Sequence, residues 1–308
     1  MNGRHLQEMK ISFIFTNYKC EELIKKNIEI IEKLNQLINV NYFIINNDID
    51  SKIKKQYFTN TNVFVIDNPS NLSGEIFENA SYHHASAINY GLSIIDAEII
   101  IIIDSDFFII QRDWIKELVK IFLNDQIVFF GAPYYPKYFS KYKYFPCAHF
   151  MAINLNKVEK KRLNFTPNLK SYNRIQKIIG FLNLPLGIEK IFLVGKSKDT
   201  GFNVYKNFSK TKYISLVPYF EIKISNLLKF YSKIVPDKFS IYPKKKESYT
   251  SMRYFTPNLN KENSEWEEYY YKDKLYSLHM RLGGKLLQNN TLINEYFNQI
   301  DNIINNKF

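Results

Sequence analysis

The sequence is poor in cysteine, glycine and proline, and each shortage excludes a class of protein. Two cysteines, Cys20 and Cys147, in 308 residues are too few for a disulfide framework. Neither stands in a C-x-x-C or similar metal-ligand spacing, so both read as free thiols of a reducing compartment. Ten Gly and ten Pro argue against a loop-built or repeat scaffold. No internal repeat or Gly/Ser linker interrupts the chain. Long apolar runs are missing too. The most apolar stretch, Ile99 to Ile103, stops at Asp104, far short of the roughly 18 residues of a spanning helix. No apolar signal core stands in the opening MNGRHLQEMK. The expectation is a cytoplasmic protein that is not integral to a membrane.

Several functional signatures are also missing. There is no G-x-G-x-x-G after the first strand-like run and no G-x-x-x-x-G-K-[ST], which argues against NAD enzymes and P-loop NTPases. The loop Asn17–Tyr–Lys–Cys–Glu21 has no glycine, unlike the Gly-rich first loop of a sugar-phosphate nucleotidyltransferase. No G-x-S-x-G nucleophile turn occurs.

What is present is a globular composition with an uneven charge. Hydrophobic residues make up 45% of the chain, too many for disorder. The length suits one large domain or two intimate ones. The net charge is +12, yet residues 136–260 hold 24 Lys and Arg against 6 Asp and Glu. That segment reads either as a solvated lysine-rich face or as a surface for an anionic partner. A membrane leaflet, a lipid-diphosphate carrier, an acidic glycan and, on charge alone, nucleic acid all fit the second reading.

Periodicity predicts an α/β order. Strands are expected at 10–16, 42–45, 62–66, 98–103 and 126–131, with a further one at 149–154. Helices are expected at 21–38, 75–95 and, with Asp113 as N-cap, from 113 to 123. A helix is also expected over 170–179. The run at 98–103 is apolar on both faces, as in the middle of a helix-covered parallel sheet. In such folds ligands bind beyond the carboxyl ends of the strands, and the polar residues from Thr16 to Asp106 fall at those ends.

Asp104–Ser105–Asp106 is the most informative segment. Residues two apart in an extended chain face one side, so two carboxylates meet at the mouth of the crevice. Such a pair resists joint ionisation unless a cation compensates it. A hard divalent ion with oxygen ligands, its shell completed by phosphate oxygens, suits the pair. An ion so placed stabilises a diphosphate leaving group.

The pattern resembles the GT-A glycosyltransferases, closest to their inverting, family 2-like branch. It is carried by Ile11–Ser–Phe–Ile–Phe–Thr16–Asn17, by His84–Ala–Ser–Ala–Ile–Asn89–Tyr–Gly91–Leu92, and by Glu98 through Asp104–Ser–Asp106. The resemblance implies a Rossmann-like α/β fold with a mixed central sheet flanked by helices. It implies a donor-binding half over 9–135, a basic acceptor-binding half over 136–285 and a helical tail over 286–308. It also implies a nucleotide-sugar donor and a divalent metal, Mn2+ or Mg2+. Thr16 and Asn17 are then expected by the base and ribose, and Asp48 supplies an acidic contact. His84, Asn89 and Ser105 fall on the donor side. Asp104 lies by the ribose and the metal, and Asp106 ligates the metal.

Two later segments extend the match. Asp199, in Lys198–Asp199–Thr200–Gly201, is the candidate base for the acceptor hydroxyl. His279, before Gly283–Gly284, is the candidate distal metal ligand, and an imidazole there favours Mn2+ over Mg2+. The sequence departs from the family at Asn46–Asn47–Asp48, where a more regular acidic pair is usual, and at Lys198, where many relatives carry a second acid. His149 is a candidate acceptor contact, and the aromatic residues of 134–150 are candidates for stacking on sugar rings. The expected acceptor is a glycan or lipid-linked glycan in surface-polysaccharide synthesis, at or near the inner face of an anionic membrane. No nucleic-acid partner is expected. The alternative reading is a non-catalytic protein that docks on anionic lipid or nucleic acid through its basic half.

Overall fold

The computed structural model describes residues 9–36, 38–48, 58, 62–69, 79–135, 138, 140–169, 197–218, 266–280 and 290–307. The first elements are β1 (Ile11–Asn17), α1 (Glu21–Leu34), β2 (Val40–Asn46), β3 (Val63–Asp67), α2 (Ala80–Ile94) and β4 (Ile99–Ile103). After a short turn come β5 (Phe107–Ile109), α3 (Trp114–Asn124), β6 (Phe129–Pro133) and β7 (Pro146–Asn154). The remainder is α4 (Phe202–Phe208), β8 (Tyr213–Ser215), β9 (Val217–Pro218), β10 (Trp266–Tyr271), β11 (Lys274–Met280) and α5 (Asn290–Lys307). The helix expected over 170–179 and much of the basic stretch lie outside the described residues.

Two sheets result. The larger has the order β3-β2-β1-β4-β7-β6-β8. Its pairings are parallel except where β7 runs antiparallel between β4 and β6. The smaller has the order β5-β11-β10-β9 and is antiparallel. This is the expected mixed α/β architecture, a mostly parallel central sheet flanked by helices. Each sheet draws strands from both sides of residue 135, so the two expected halves interleave.

β4 is the spine. All five of its isoleucines are buried, and the alternation of a strand sends them to opposite faces. Ile99, Ile101 and Ile103 join one core with α1, α3, α5 and the small sheet. Ile100 and Ile102 join the other with α2 and α4. Truncating one such side chain to Ala costs about 2–5 kcal/mol. Gly91 lets α2 lie close on the sheet, because a Cβ there would sit 3.2 Å from Ile14 Cδ1 and 3.3 Å from Ile45 Cγ1.

Asn35 explains where α1 stops. Its backbone N–H and its Nδ2 both donate to Ile31 O, and its Oδ1 accepts from Ile115 N in the first turn of α3. One amide therefore ends α1 four residues before the expected Ile38 and caps α3. The N-cap role expected of the Asp113 side chain is corrected accordingly. Asp113 has φ 55° and makes no side-chain cap, since a capping side chain reaches the first-turn amides from extended backbone.

The small sheet escaped the sequence reading. β10 is buried at five of its six positions, so no inside–outside alternation marks it. Its hairpin turn is Lys272–Asp273, both with positive φ, the geometry of a two-residue primed turn. α5 buries Ile293, Tyr296, Ile300 and Ile304, spaced as one helical face. Trp266 docks on it, with Nε1 donating to Gln299 Oε1 at 2.9 Å and its ring 5.2 Å from that of Tyr296. No helix among the described residues is long and apolar enough to cross a membrane.

Candidate active site at the joint of two sheets

Asp104–Ser105–Asp106 is the turn by which the chain leaves the large sheet and enters the small one. β4 ends at Ile103 and β5 begins at Phe107, and Phe107 N closes the turn on Asp104 O. Each sheet then delivers a histidine by register alone. In the antiparallel pair β4–β7, Ile103 faces Phe150, so the next rung sets His149 beside Asp104, with Asp104 N donating to His149 O at 2.9 Å. In the pair β5–β11, Phe107 faces His279, and Met280 N donates to Asp106 O at 2.9 Å. α2 brings a third imidazole across the end of β4.

The side chains converge. Asp104 Oδ1 lies 3.0 Å from His84 Nε2, and its Oδ2 lies 3.8 Å from His149 Nε2. Asp106 Oδ1 is 3.5 Å from His279 Nε2. The rings of His149 and His279 are 4.7 Å apart. One ligand atom from each of Asp104, His149 and His279 falls within 4.8 Å of the others, so one ion has room among them. Asp106 joins them through His279. The donor set of carboxylate oxygens and imidazole nitrogens suits a divalent cation such as Mn2+.

The electrostatics follow from this crowding. Burial works against the Asp104 carboxylate, but His84, His149 and His279 outweigh it and hold its pKa at about 2. Burial likewise opposes charge on His279, yet Asp106 and Glu267 raise that imidazole to about 10. Burial and the charge of His279 push His149 down to about 4. Burial also disfavours charge on His84, but Asp104 more than offsets it and the pKa is raised.

The remaining expected residues divide. Asn17 is buried, and its side chain is committed to neighbours: Nδ2 donates to Asn46 Oδ1 and Glu21 Oε1, while Oδ1 accepts from Cys20 N and Sγ. Thr16 is half-buried beside it at the end of β1. Asp48 is buried, its N–H donating to Asn46 Oδ1. The Ser105 carbonyl accepts from Asn27 Nδ2 at 3.3 Å. Asn89 turns to another segment, accepting from Phe165 N at 2.9 Å and donating to Thr166 Oγ1 at 3.1 Å.

Asp199 is buried and ion-paired with Lys141, and its Oδ1 accepts from Thr200 N at 2.7 Å. Tyr134 connects this turn to the cluster. Its hydroxyl donates to Thr200 O at 3.0 Å, and its ring meets that of His149 at 5.3 Å. Thr200 Oγ1 donates to Ser81 O at the start of α2. Gly201 has φ 81°, and a Cβ there would stand 3.0 Å from the Tyr142 hydroxyl, so only glycine fits without strain. Gly283 and Gly284 lie outside the described residues.

Two residues were missed or undervalued. His149, a candidate acceptor contact by sequence, is a neighbour of Asp104. Glu267 carried no sequence signal at all. It is fully buried on β10, opposite His279, with its Oε2 2.8 Å from His279 Nδ1. Only the strand registers reveal either one.

Comparison with known proteins gives the family. Residues 12–186 match the family described as "Glycosyl transferase family 2". The chain belongs to glycosyl transferase family 2. Solved structures with a similar fold include PcManGT, a mannosyltransferase from Pyrobaculum calidifontis in complex with GDP-Man and Mn2+. It is 13% identical, with 51% of this chain and 47% of that one covered, at a TM-score of 0.37. The 1–349 fragment of S. aureus TarS is 12% identical over 60% of this chain and 54% of that one, at a TM-score of 0.38. The galactosyltransferase LgtC, in complex with donor and acceptor sugar analogues, is 14% identical over 67% and 73%, at a TM-score of 0.38. This family 2 chain spans about half the length of the mannosyltransferase, and its family assignment rests on the sequence match. No curated protein matches the sequence.

Proposed function

We propose that this chain transfers a sugar from a nucleoside-diphosphate sugar to an acceptor hydroxyl, with the donor diphosphate at the Asp104–Ser105–Asp106 turn. The observation that carries this reading is the meeting of Asp104, Asp106, His149 and His279 where the two sheets join, in a chain of this family. A divalent ion held by these four residues would offset the charge that gathers on the departing nucleoside diphosphate. Two imidazoles in the set favour Mn2+ over Mg2+.

The chain's own residues carry the other tasks. Thr16 and Asp48, at the ends of β1 and β2, border the side of the crevice where a nucleoside binds in such sheets. His84 holds Asp104 ionised and oriented toward the cluster. Asp199 serves as the base: it takes the proton of the acceptor hydroxyl as that oxygen bonds to the anomeric carbon and the bond to the diphosphate breaks. A single displacement of this kind inverts the anomeric centre. Lys141, ion-paired with Asp199, holds that carboxylate in place. The acceptor fits a glycan or lipid-linked glycan in polysaccharide synthesis, reached from an anionic membrane surface through the basic segment 136–260.

A thermal-shift panel of nucleoside diphosphates with and without Mn2+ tests the reading. Ligand at a hundredfold excess over Kd stabilises the fold by about 2.7 kcal/mol, or about 5 °C for a chain of this size. The shift is expected only with Mn2+ and a nucleoside diphosphate together, and not in Asp106→Ala. Equal shifts in the variant would contradict it.

A further inference from the structure

Glu267 is the one fully buried carboxylate facing the cluster from outside the Asp104–Ser105–Asp106 turn, among the described residues. A buried carboxylate is costly unless paired and hydrogen-bonded, and here its pairing is specific. β10 and β11 set Glu267 directly opposite His279, and Glu267 Oε2 takes up Nδ1 at 2.8 Å. With Nδ1 held as the donor, Nε2 is the nitrogen left to face Asp106 at 3.5 Å and the atoms of Asp104 and His149. The ring is also packed against Phe107, centroids 5.6 Å apart, and against His149 at 4.7 Å. A hydrogen bond fixes its rotation and two neighbouring rings fix its plane.

We infer that Glu267 is a positioning residue for the cation site, acting through His279 by fixing its tautomer and presenting Nε2 to the ion. The inference rests on the proposed metal site and adds a residue to it. A hydrogen-bonded carboxylate behind a ligating imidazole sets ring orientation and raises ligand basicity, and its loss typically costs 10–100-fold in metal affinity. The adjacent Glu268 faces the other way: its Oε2 accepts from the Tyr270 hydroxyl at 2.6 Å, and it pairs with Leu278. It serves as an internal control.

The test is titration of the full chain with Mn2+ alone, following free Mn2+ by electron paramagnetic resonance. Glu267→Met keeps the length of the side chain and removes the acceptor; because removing one partner of a buried pair is destabilising, its fold is checked by circular dichroism, and Glu267→Gln is measured beside it. Glu267→Met is expected to weaken Mn2+ binding about 10–100-fold. Glu267→Gln, which can still accept from Nδ1–H, is expected to recover most of that loss. Glu268→Gln is expected to bind as wild type does. In a His279→Gln background Glu267→Met should change nothing further. Wild-type affinity in a folded Glu267→Met overturns the inference, as does an equal loss in the His279→Gln background. In either case the metal site stands if Asp106→Asn abolishes binding. Absence of Mn2+ binding in the wild type overturns both.

Discussion

The carboxyl ends of β1–β3 and the joint between β4 and β5 lie on the same rim of the large sheet and are built in opposite ways. The first is a lattice centred on asparagine amides. Asn46 Nδ2 donates to Asp48 O and to Asp67 Oδ1 at 2.9 Å each, while its Oδ1 accepts from Asn17 Nδ2 and Asp48 N. Asn47 and Asn68 continue the chain to His83 O and Ser86 Oγ on α2. The second is a cluster of charge, with two aspartates against three imidazoles. Amides that satisfy one another hold three strand ends and a helix in place. Carboxylates crowded by histidines leave ligand atoms turned toward a shared space. On the proposed function, the amide lattice fixes the strand ends that border the nucleoside, and the charged cluster receives the cation and the donor diphosphate.

Substitutions can break this contrast. The largest effect is expected from Asp106→Ala, which should lower sugar transfer from a nucleotide sugar by about 100- to 1,000-fold, as removal of several kcal/mol of charge stabilisation requires. Its unfolding free energy, read by urea melts, should fall by less than that of Asn46→Ala, because carboxylates crowded together repel one another when no cation is bound. Asn46→Ala should do the reverse. Buried donors and acceptors left unmatched cost about 1–3 kcal/mol each, so a loss of about 2–4 kcal/mol is expected in the same melts. If Asp106→Ala destabilised more than Asn46→Ala, the contrast would be wrong.

A smaller effect sharpens the comparison within the charged region. His149→Gln should weaken Mn2+ about tenfold by calorimetry while leaving Mg2+ nearly unchanged, because imidazole favours the transition metal. Equal losses for both ions would remove His149 from the donor set. The smallest effect concerns the thiols. Burial pushes Cys20 up to about 12 and Cys147 upward as well, so neither thiolate forms near neutrality. A disulfide reagent at pH 8 should label neither until the protein unfolds, and fast labelling of the native chain would show that Cys20 is not sealed beneath the Asn17 turn.

Much of the large sheet and half of the charged cluster were legible in the sequence. The buried run at Ile99–Ile103 announced a central strand, and the spacing of Asp104 and Asp106 marked the turn at which the carboxylates meet the histidines. The family pattern pointed on to His279. These signals are local: each is carried by neighbours along the chain. His149 and Glu267 are not, because each acquires its role from a strand register that no run of residues encodes. β5 was hidden for a related reason: Phe107–Phe108–Ile109 is only three residues long and apolar throughout. The amide lattice was visible only as a departure from the expected acidic pair at Asn46–Asn47–Asp48, and its hydrogen bonds explain why asparagine stands there. The basic segment 136–260, the strongest compositional signal in the chain, lies largely beyond the described residues.

The central claim is that one cation shares the side chains of Asp104, Asp106, His149 and His279. A crystal soaked in Mn2+ and measured at the manganese absorption edge addresses it directly. The account predicts one anomalous peak about 2–2.5 Å from a carboxylate oxygen of Asp106 and from Nε2 of His279. A map with no peak at the sheet joint, with Asp104 and Asp106 still paired to their histidines at full Mn2+ occupancy elsewhere, would contradict it.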